Sequence, residues 1–315
     1  MSLITWIVKV FLLRPYYYFR SRYVVWRLYN IQGILKWRAH PITLNAAQRH
    51  IVNSLKKDGL AMTHIRTIHP DGDALLRDLQ AFADEHFKQP YTLKAKQYWK
   101  LTWDPEKFPF DIANPCVRLG FHPDVLAIPN SYLDMWTRLS GIVGHKTEIM
   151  KEGEVPRQTQ KWHRDPDDKK ICKLFIYLND VDEYGGPFTF VKGSQTGGRY
   201  EHVAPQGRPY GAVRYEKGRI PEKMVAEAIP RNEIVQCTGP AGTVIFADTT
   251  GIHKGGYSTK TARLLILCSY YSRVNLGKVG RRKNMYLYPP DFKAQVALLS
   301  PEAQFAATNP LIEIP

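Results

Sequence analysis

The chain has 315 residues, enough for one large or two small domains around a buried core. Hydrophobic residues at 44% and charged residues at 23% are ordinary for a globular protein. The net charge of +15 is lopsided: ten Lys and Arg and no Asp or Glu precede Asp58, and the rest of the chain is only mildly basic, which argues against a fold-wide basic surface. Cys116, Cys172, Cys237 and Cys268 are widely spaced with no C-x-x-C pair. That argues against a zinc site or a disulfide framework and fits a reducing compartment.

Residues 3–13 are apolar apart from Thr5 and Lys9, short of the roughly 20 residues a membrane-spanning helix needs. They lack the leading basic stretch and small-residue cleavage site of a cleaved signal peptide. Residues 24–38 mix Trp26, Tyr29, Ile31, Ile34, Leu35 and Trp37 with basic side chains. Aromatic and basic residues without acids suit a helix lying in a membrane interface. Residues 1–43 are therefore expected to form a segment apart, with residues 1–38 meeting an anionic membrane surface and the protein cytoplasmic and peripheral. A helix packed on the domain and a basic arm for nucleic acid are the alternatives.

Residues 44–57 predict an amphipathic helix ended by Asp58-Gly59, and residues 60–68 a strand. His69-Pro70-Asp71-Gly72 reads as a turn into a second helix over 73–88. Residues 90–129 are aromatic and proline-rich, expected to be irregular with short strands, and 131–143 a further helix. From Gln158 onward the texture is β: apolar runs at 172–178, 188–191, 243–246 and 264–271 are separated by Gly, Asp and Pro. This favours a sandwich or jelly roll over alternating strand–helix units. A polar insertion over 197–240, with a short helix at 221–229, reads as a lid or binding loop. Residues 290–299 and 301–307 are expected to be helical.

A mononuclear iron that activates oxygen needs two imidazoles and a carboxylate on one face. On a strand, residues i and i+2 point the same way, so His-x-Asp presents two of the three. Three such pairs occur: His69-Pro70-Asp71, His122-Pro123-Asp124 and His163-Arg164-Asp165. The first two carry a proline that removes a ladder donor. Only His163 and Asp165 stand just before a convincing buried strand. The second histidine is His253, in the Gly-rich stretch Ile252-His253-Lys254-Gly255-Gly256, and a returning strand opens with Arg263. A hairpin here would bring Arg263 beside His253, and a guanidinium suits a bidentate grip on a carboxylate.

Trp162-His163-Arg164-Asp165, the block Gly185-Gly186-Pro187-Phe188-Thr189-Phe190-Val191-Lys192-Gly193-Ser194 and the His253…Arg263 pair resemble the phytanoyl-CoA dioxygenase family of iron/2-oxoglutarate oxygenases. The resemblance spans about 158–271, and more loosely from Leu44. It implies a mainly β fold with flanking helices around a double-stranded β-helix, a jelly-roll, cupin-like core. It also implies an Fe(II)/2-oxoglutarate oxygenase domain over 44–315, with metal on His163, Asp165 and His253. The co-substrate 2-oxoglutarate would sit on Arg263, with Gln160 and Lys173 as further contacts, and O2 as oxidant. Lys192 stands where a Pro is common and Gln195 where a His is common, which bears on substrate more than on chemistry. Asp165 favours hydroxylation, because related halogenases replace this carboxylate with a small residue. The expected substrate is a lipid, glycolipid or other small molecule. An inactive jelly-roll scaffold and a nucleic-acid demethylase of the same fold are the rival readings.

Overall fold

The structure is a computed structural model that describes residues 19, 22–87, 99–101, 110–205, 219–274 and 289–307. Among the described residues nine strands run in chain order: β1 (Leu60–His64), β2 (Trp99–Leu101), β3 (Arg138–Thr147), β4 (Ile171–Tyr177), β5 (Phe188–Val191), β6 (Ile234–Cys237), β7 (Thr243–Ala247), β8 (His253–Gly255) and β9 (Arg263–Tyr271). They form a six-stranded sheet, β1-β7-β4-β9-β3-β2, and a three-stranded sheet, β6-β5-β8. Every pairing between these strands is antiparallel.

Alternation along the strands divides the core. Cys172, Leu174 and Ile176 of β4, with Val244, Phe246, Ile266, Cys268 and Tyr270, point from the large sheet into a cluster shared with the helices. The intervening Phe175 and Tyr177, with Ile245, Ala247 and Leu265, face the small sheet and meet Phe188 and Phe190. The large sheet is thus buried on both faces, which is why its strands read as continuous apolar runs.

The helices are α1 (Tyr23–Tyr29), α2 (Ile31–Ala39), α3 (Ala46–Asp58), α4 (Ile65–Ile68), α5 (Gly72–Phe87), α6 (Pro115–Phe121), α7 (Pro123–Leu133), α8 (Glu222–Ala228), α9 (Phe292–Ala297) and α10 (Pro301–Ala307). Asn45 and Gln48 close a capping box at the start of α3, and Gly59 ends it at φ +71°. Gly59 is doubly constrained: a Cβ there would lie 2.6 Å from Gln195 Oε1. Among the described residues no helix is long and apolar enough to cross a membrane. The four cysteines are buried thiols.

Several expectations are corrected. The strand expected over 60–68 stops at His64, and Ile65–Ile68 is a helical turn. The stretch expected to be irregular up to 129 contains α6 and α7. Pro115 and Pro123 fall at helix starts, where a missing N–H costs nothing, capped by Asn114 and His122. The helix expected over 131–143 ends at Leu133, Asp134 taking φ +54°, and Arg138–Thr147 is a ten-residue strand instead. Ile234–Cys237, assigned to the insertion, is a strand paired with β5, so the excursion ends before it. Residues 206–218 of that insertion lie outside the described residues, as do residues 1–18.

The N-terminal helices dock on the domain. Trp26 is 1% exposed, and its Nε1 donates to Asp168 Oδ1 at 2.7 Å and Ser272 Oγ at 3.1 Å. Asn30 Oδ1 accepts from Val274 N at 2.8 Å. Gly33 approaches so closely that an added Cβ would lie 2.8 Å from the Trp136 carbonyl.

Candidate active site

His163 and His253 arrive from separate parts of the chain and are joined as one antiparallel rung, each backbone N–H donating to the other's carbonyl at 2.9 Å. Both rings therefore leave on the same side, with centroids 4.2 Å apart. Asp165, two residues on, is fixed by its N–H to the Thr249 carbonyl at 2.8 Å. His163 Nε2 lies 4.0 Å from Asp165 Oδ1, and His253 Nε2 lies 3.9 Å from Asp165 Oδ2. The three donor atoms fall within 4.8 Å of one another, the spacing of a set that can hold one metal ion.

The imidazoles are prepared for ligation. His163 Nδ1 faces the Lys161 carbonyl at 2.9 Å and His253 Nδ1 the Gly251 carbonyl at 3.0 Å. With Nδ1–H donating to those carbonyls, each Nε2 presents a lone pair. Burial, then the neighbouring imidazole, lowers the His163 pKa to about 3, and burial likewise lowers that of His253. Both rings are neutral at ordinary pH. Burial opposes ionisation of Asp165, but the Lys173 ammonium and the two imidazoles outweigh it and hold the carboxyl below the usual range. Lys173 Nζ lies 2.6 Å from Asp165 Oδ2.

Arg263 opens β9 opposite Thr147 and faces inward. One Nη donates to the Gly186 carbonyl, the other to Thr147 Oγ1 at 3.2 Å, while its buried Nε has no hydrogen-bond partner among the described residues. Among the described residues no carboxylate pairs with it, so an inward guanidinium stands 6% exposed with a donor to spare. Gly186, at φ +69°, supports it through its carbonyl. Phe175 stacks on Phe188 at 4.7 Å, and Phe188 lies 5.5 Å from the His253 ring, giving the space an apolar wall.

The route by which Arg263 reaches this space differs from expectation. β8 and β9 do not form a hairpin: His253 pairs with Phe190 in the small sheet, and Arg263 with Thr147 in the large one. The link between the two sheets runs through the β5 segment, with Gly186 on Arg263 and Phe188 beside the His253 ring. Lys173 stands on Asp165. The Gln160 side chain accepts from Arg157 N at 3.0 Å and reaches Met150 Sδ at 3.4 Å. His69 and His122 each accept from the N–H of the aspartate two residues on, and their rings pack together 4.1 Å apart.

Three residues escaped sequence reasoning. Arg164, between the two motif residues, turns the other way and donates to the carbonyls of Ser194, Tyr200, Val203, Ala204 and Thr250. It ties the loops around the site together, and burial lowers its pKa to about 10. Asp248 accepts from Tyr132 Oη at 2.6 Å and Thr250 N at 2.9 Å, anchoring the turn before His253. His145 on β3 is kept neutral, pKa about 3, by burial and then by Arg263 and Lys173. Of the basic residues in the insertion, Arg199 is engaged by Asp58 and Glu233, Lys223 by Glu227, and Arg219 lines a cleft beside His163. Arg208, Arg214 and Lys217 lie outside the described residues.

Two facing antiparallel sheets with an inward His-x-Asp…His set and an inward arginine define the jelly-roll class of double-stranded β-helix, mainly β with flanking helices. Residues 141–263 match the model of the phytanoyl-CoA dioxygenase (PhyH) family, so the resemblance read from the motif residues holds over the stretch that carries all four. The chain is 28% identical over 125 residues to L-proline trans-4-hydroxylase of Streptomyces griseoviridis, covering 36% of this chain and 45% of that one. The chain therefore spans less than half the length of that relative. Among solved structures, the epimerase SnoN in complex with Fe3+, alpha ketoglutarate and nogalamycin RO superimposes with a TM-score of 0.54 at 17% identity, over 78% of this chain and 97% of that one. EctD from S. alaskensis with 2-oxoglutarate and 5-hydroxyectoine gives 0.50 at 18% identity, over 87% and 92%. These likenesses establish the fold.

Proposed function

We propose that this chain is an Fe(II)- and 2-oxoglutarate-dependent dioxygenase that hydroxylates a C–H bond of a small molecule. The observation that carries the reading is a metal-ligand set and a buried guanidinium in one jelly roll. Three donor atoms lie within 4.8 Å of one another, and the inward Arg263 has an Nε with no hydrogen-bond partner among the described residues. The first suits a divalent metal, the second a dicarboxylate that also reaches the metal.

Iron(II) with 2-oxoglutarate supplies the oxidation of a substrate C–H bond by O2. The chain's own part is placement. His163 and His253 offer Nε2 because backbone carbonyls hold their Nδ1 protons. Asp165 offers Oδ1 while Lys173 occupies Oδ2. Arg263, braced by Gly186 and Thr147, would hold the distal carboxylate of 2-oxoglutarate, and Phe175 and Phe188 would help exclude water from the site.

The test is succinate release from 2-oxoglutarate with Fe(II), comparing soluble metabolites with lipid extracts. Asp165→Ala should abolish coupled turnover, and Arg263→Ala should raise the 2-oxoglutarate KM by about tenfold or more. Full activity in both variants would sink the assignment of Asp165 and Arg263, and no succinate release under any substrate set would favour a scaffold.

A lipid substrate met at a membrane surface is the second reading, favoured by one observation. Val24, Leu28, Ile31 and Leu35 recur at helical spacing on the outer side of α1 and α2, between 47% and 68% exposed, while Trp26, Asn30 and Ile34 face the domain. Arg22, Arg27, Lys36 and Arg38 accompany that stripe. Leu28→Glu with Leu35→Glu spares the docked side and should lower binding to anionic vesicles. Equal binding by wild type and variant would remove this reading and leave the oxygenase reading intact.

A further inference from the structure

Tyr177 closes β4 on the face that carries Lys173 and Phe175, since alternate residues of a strand share a face. These three side chains mark the two ends of the site and its middle. Lys173 lies on Asp165, Phe175 stacks on Phe188, and the Tyr177 hydroxyl stands beside the Arg263 guanidinium. Tyr177 is fully buried and pairs across the sheet with Leu265, the next residue of β9 on the same face as Arg263.

The surroundings of that hydroxyl are neutral. Tyr177 Oη donates to the Cys237 carbonyl at 2.8 Å and accepts from Phe188 N at 3.2 Å. A phenol has one proton to give and two lone pairs to fill, so one acceptor position remains, and the guanidinium beside it is a donor. Burial pushes the phenol up to about 12 against the pull of Arg263, so it stays protonated and uncharged at ordinary pH. Gly186 and Thr147 likewise meet Arg263 with neutral oxygens. A carboxylate in any of these places would neutralise the guanidinium. Neutral oxygens orient it and leave its charge for a ligand. One hydroxyl thus joins β4, β5 and β6 at the point where the arginine enters from β9.

We propose that Tyr177 is a positioning residue that determines co-substrate specificity: its hydroxyl sets Arg263 against the distal carboxylate, so that the site selects a 2-oxo diacid over a 2-oxo acid of equal length without that carboxylate. The inference rests on the oxygenase reading, which supplies the co-substrate, and adds that the choice of diacid depends on Tyr177. Its effect falls on the guanidinium end of the site, while the metal end is held by Lys173 and the carbonyls of Lys161 and Gly251.

The experiment uses the full chain, anaerobic and loaded with Fe(II), and measures calorimetric affinities for 2-oxoglutarate and 2-oxopentanoate, which differ only in the distal carboxylate. Wild type should prefer the diacid by about a hundredfold or more. Tyr177→Phe should cut that preference by about tenfold through weaker 2-oxoglutarate binding alone, with the affinities for 2-oxopentanoate and Fe(II) unchanged. A merely structural role would weaken both acids together and leave the preference intact, and that result overturns the proposal. Because Tyr177→Phe also orphans Phe188 N and the Cys237 carbonyl, a second measurement uses the unaltered chain. Its Phe188 amide, which donates to the Tyr177 hydroxyl, should exchange more slowly with 2-oxoglutarate bound than with 2-oxopentanoate bound. Equal exchange at equal saturation overturns the proposal. Arg263→Ala separates this inference from the reading beneath it. A preference lost there but kept in folded Tyr177→Phe removes Tyr177 alone, whereas a wild type that prefers neither acid defeats the assignment of Arg263 as well.

Discussion

Lys173 Nζ sits 2.6 Å from Asp165 Oδ2, on the same carboxylate whose other oxygen faces His163. The pair sits on neighbouring turns of one path: β4 begins at Ile171, and alternation turns Lys173 to the face that Asp165 enters. A divalent cation on Asp165 would meet this ammonium at close range, and an arriving dicarboxylate would relieve the repulsion. Lys173→Met is therefore expected to leave Fe(II) affinity equal or tighter while raising the 2-oxoglutarate Kd by about tenfold or more. Calorimetric titration of each ligand measures both. A variant that loses metal affinity with unchanged 2-oxoglutarate binding would show instead that Lys173 only orients Asp165.

The buried histidines set the acid limb of stability. His69 is lowered to about 4 by burial and by His122, and His145 and His163 to about 3, each from 6.5. As pH falls below 6.5 the unfolded chain takes up protons that the folded one refuses, so stability present above 6.5 is lost toward pH 4. Asp168 works in the opposite sense: burial raises it from 3.8 to about 6, so its contribution is present below 3.8 and lost as pH rises through 6. His122 and His253 are lowered by burial as well, and Asp248 is raised as Asp168 is, so five histidines against two acids give a net fall on acidification. Urea melts in chelator at pH 7.5, 6.5 and 5.5 should show falling midpoints, and His69→Gln should flatten the slope by up to about 1.4 kcal/mol per pH unit. A flat or rising profile would contradict the burial argument.

How much of this was legible in the sequence follows from where each signal lives. β4, β5, β7 and β9 are short apolar runs because both faces of the large sheet are buried, and such runs can be read locally. β3 was mistaken for helix because its inner face carries Gly141, His145 and Thr147, residues that serve Arg263 and the gap and break the apolar pattern. α6 and α7 were hidden by Pro115 and Pro123, which read as breakers although they stand at helix starts. His163, Asp165, His253 and Arg263 were findable from order and context. Their meeting across two sheets was not, since it depends on pairings between β3, β8 and β9 and their distant partners. Arg164 and Asp248 act only through backbone groups far away in sequence, and no local spacing marks them.

Arg164 is a buried cation whose hydrogen bonds run to backbone carbonyls, with the Glu201 and Asp248 carboxylates near enough to favour its charge. A lysine keeps the charge but cannot span acceptors from Ser194, Val203, Ala204 and Thr250 at once. Arg164→Lys should cost about 2–4 kcal/mol of unfolding free energy, and Arg164→Met about as much through the orphaned carbonyls. Hydrogen exchange should rise at residues 194–204 more than in β4 or β9. Uniform exchange changes across the fold would mean that Arg164 supports global stability and not this loop.

Trp26 decides whether the N-terminal helices belong to the domain. Its ring is buried in the main core cluster, and its Nε1 is one of the donors to Asp168, which also accepts from Ser272 N at 2.8 Å and Ser272 Oγ at 2.6 Å. Trp26→Phe retains much of the apolar contact and deletes the donor, at an expected cost of about 1–3 kcal/mol. Trp26→Ala adds a cavity and should cost about 3–5 kcal/mol. Because Asp168 lies three residues beyond Asp165, undocking should loosen the loop that carries the carboxylate as well as the helices themselves. Limited trypsin digestion separates the cases: faster cleavage at Arg27, Lys36 and Arg38 in Trp26→Ala, with weaker Fe(II) binding, is the expected pair of results. Faster cleavage with unchanged metal affinity would make the helices a detachable appendage, and no change in either would mean that Asn30 and Ile34 suffice to hold them.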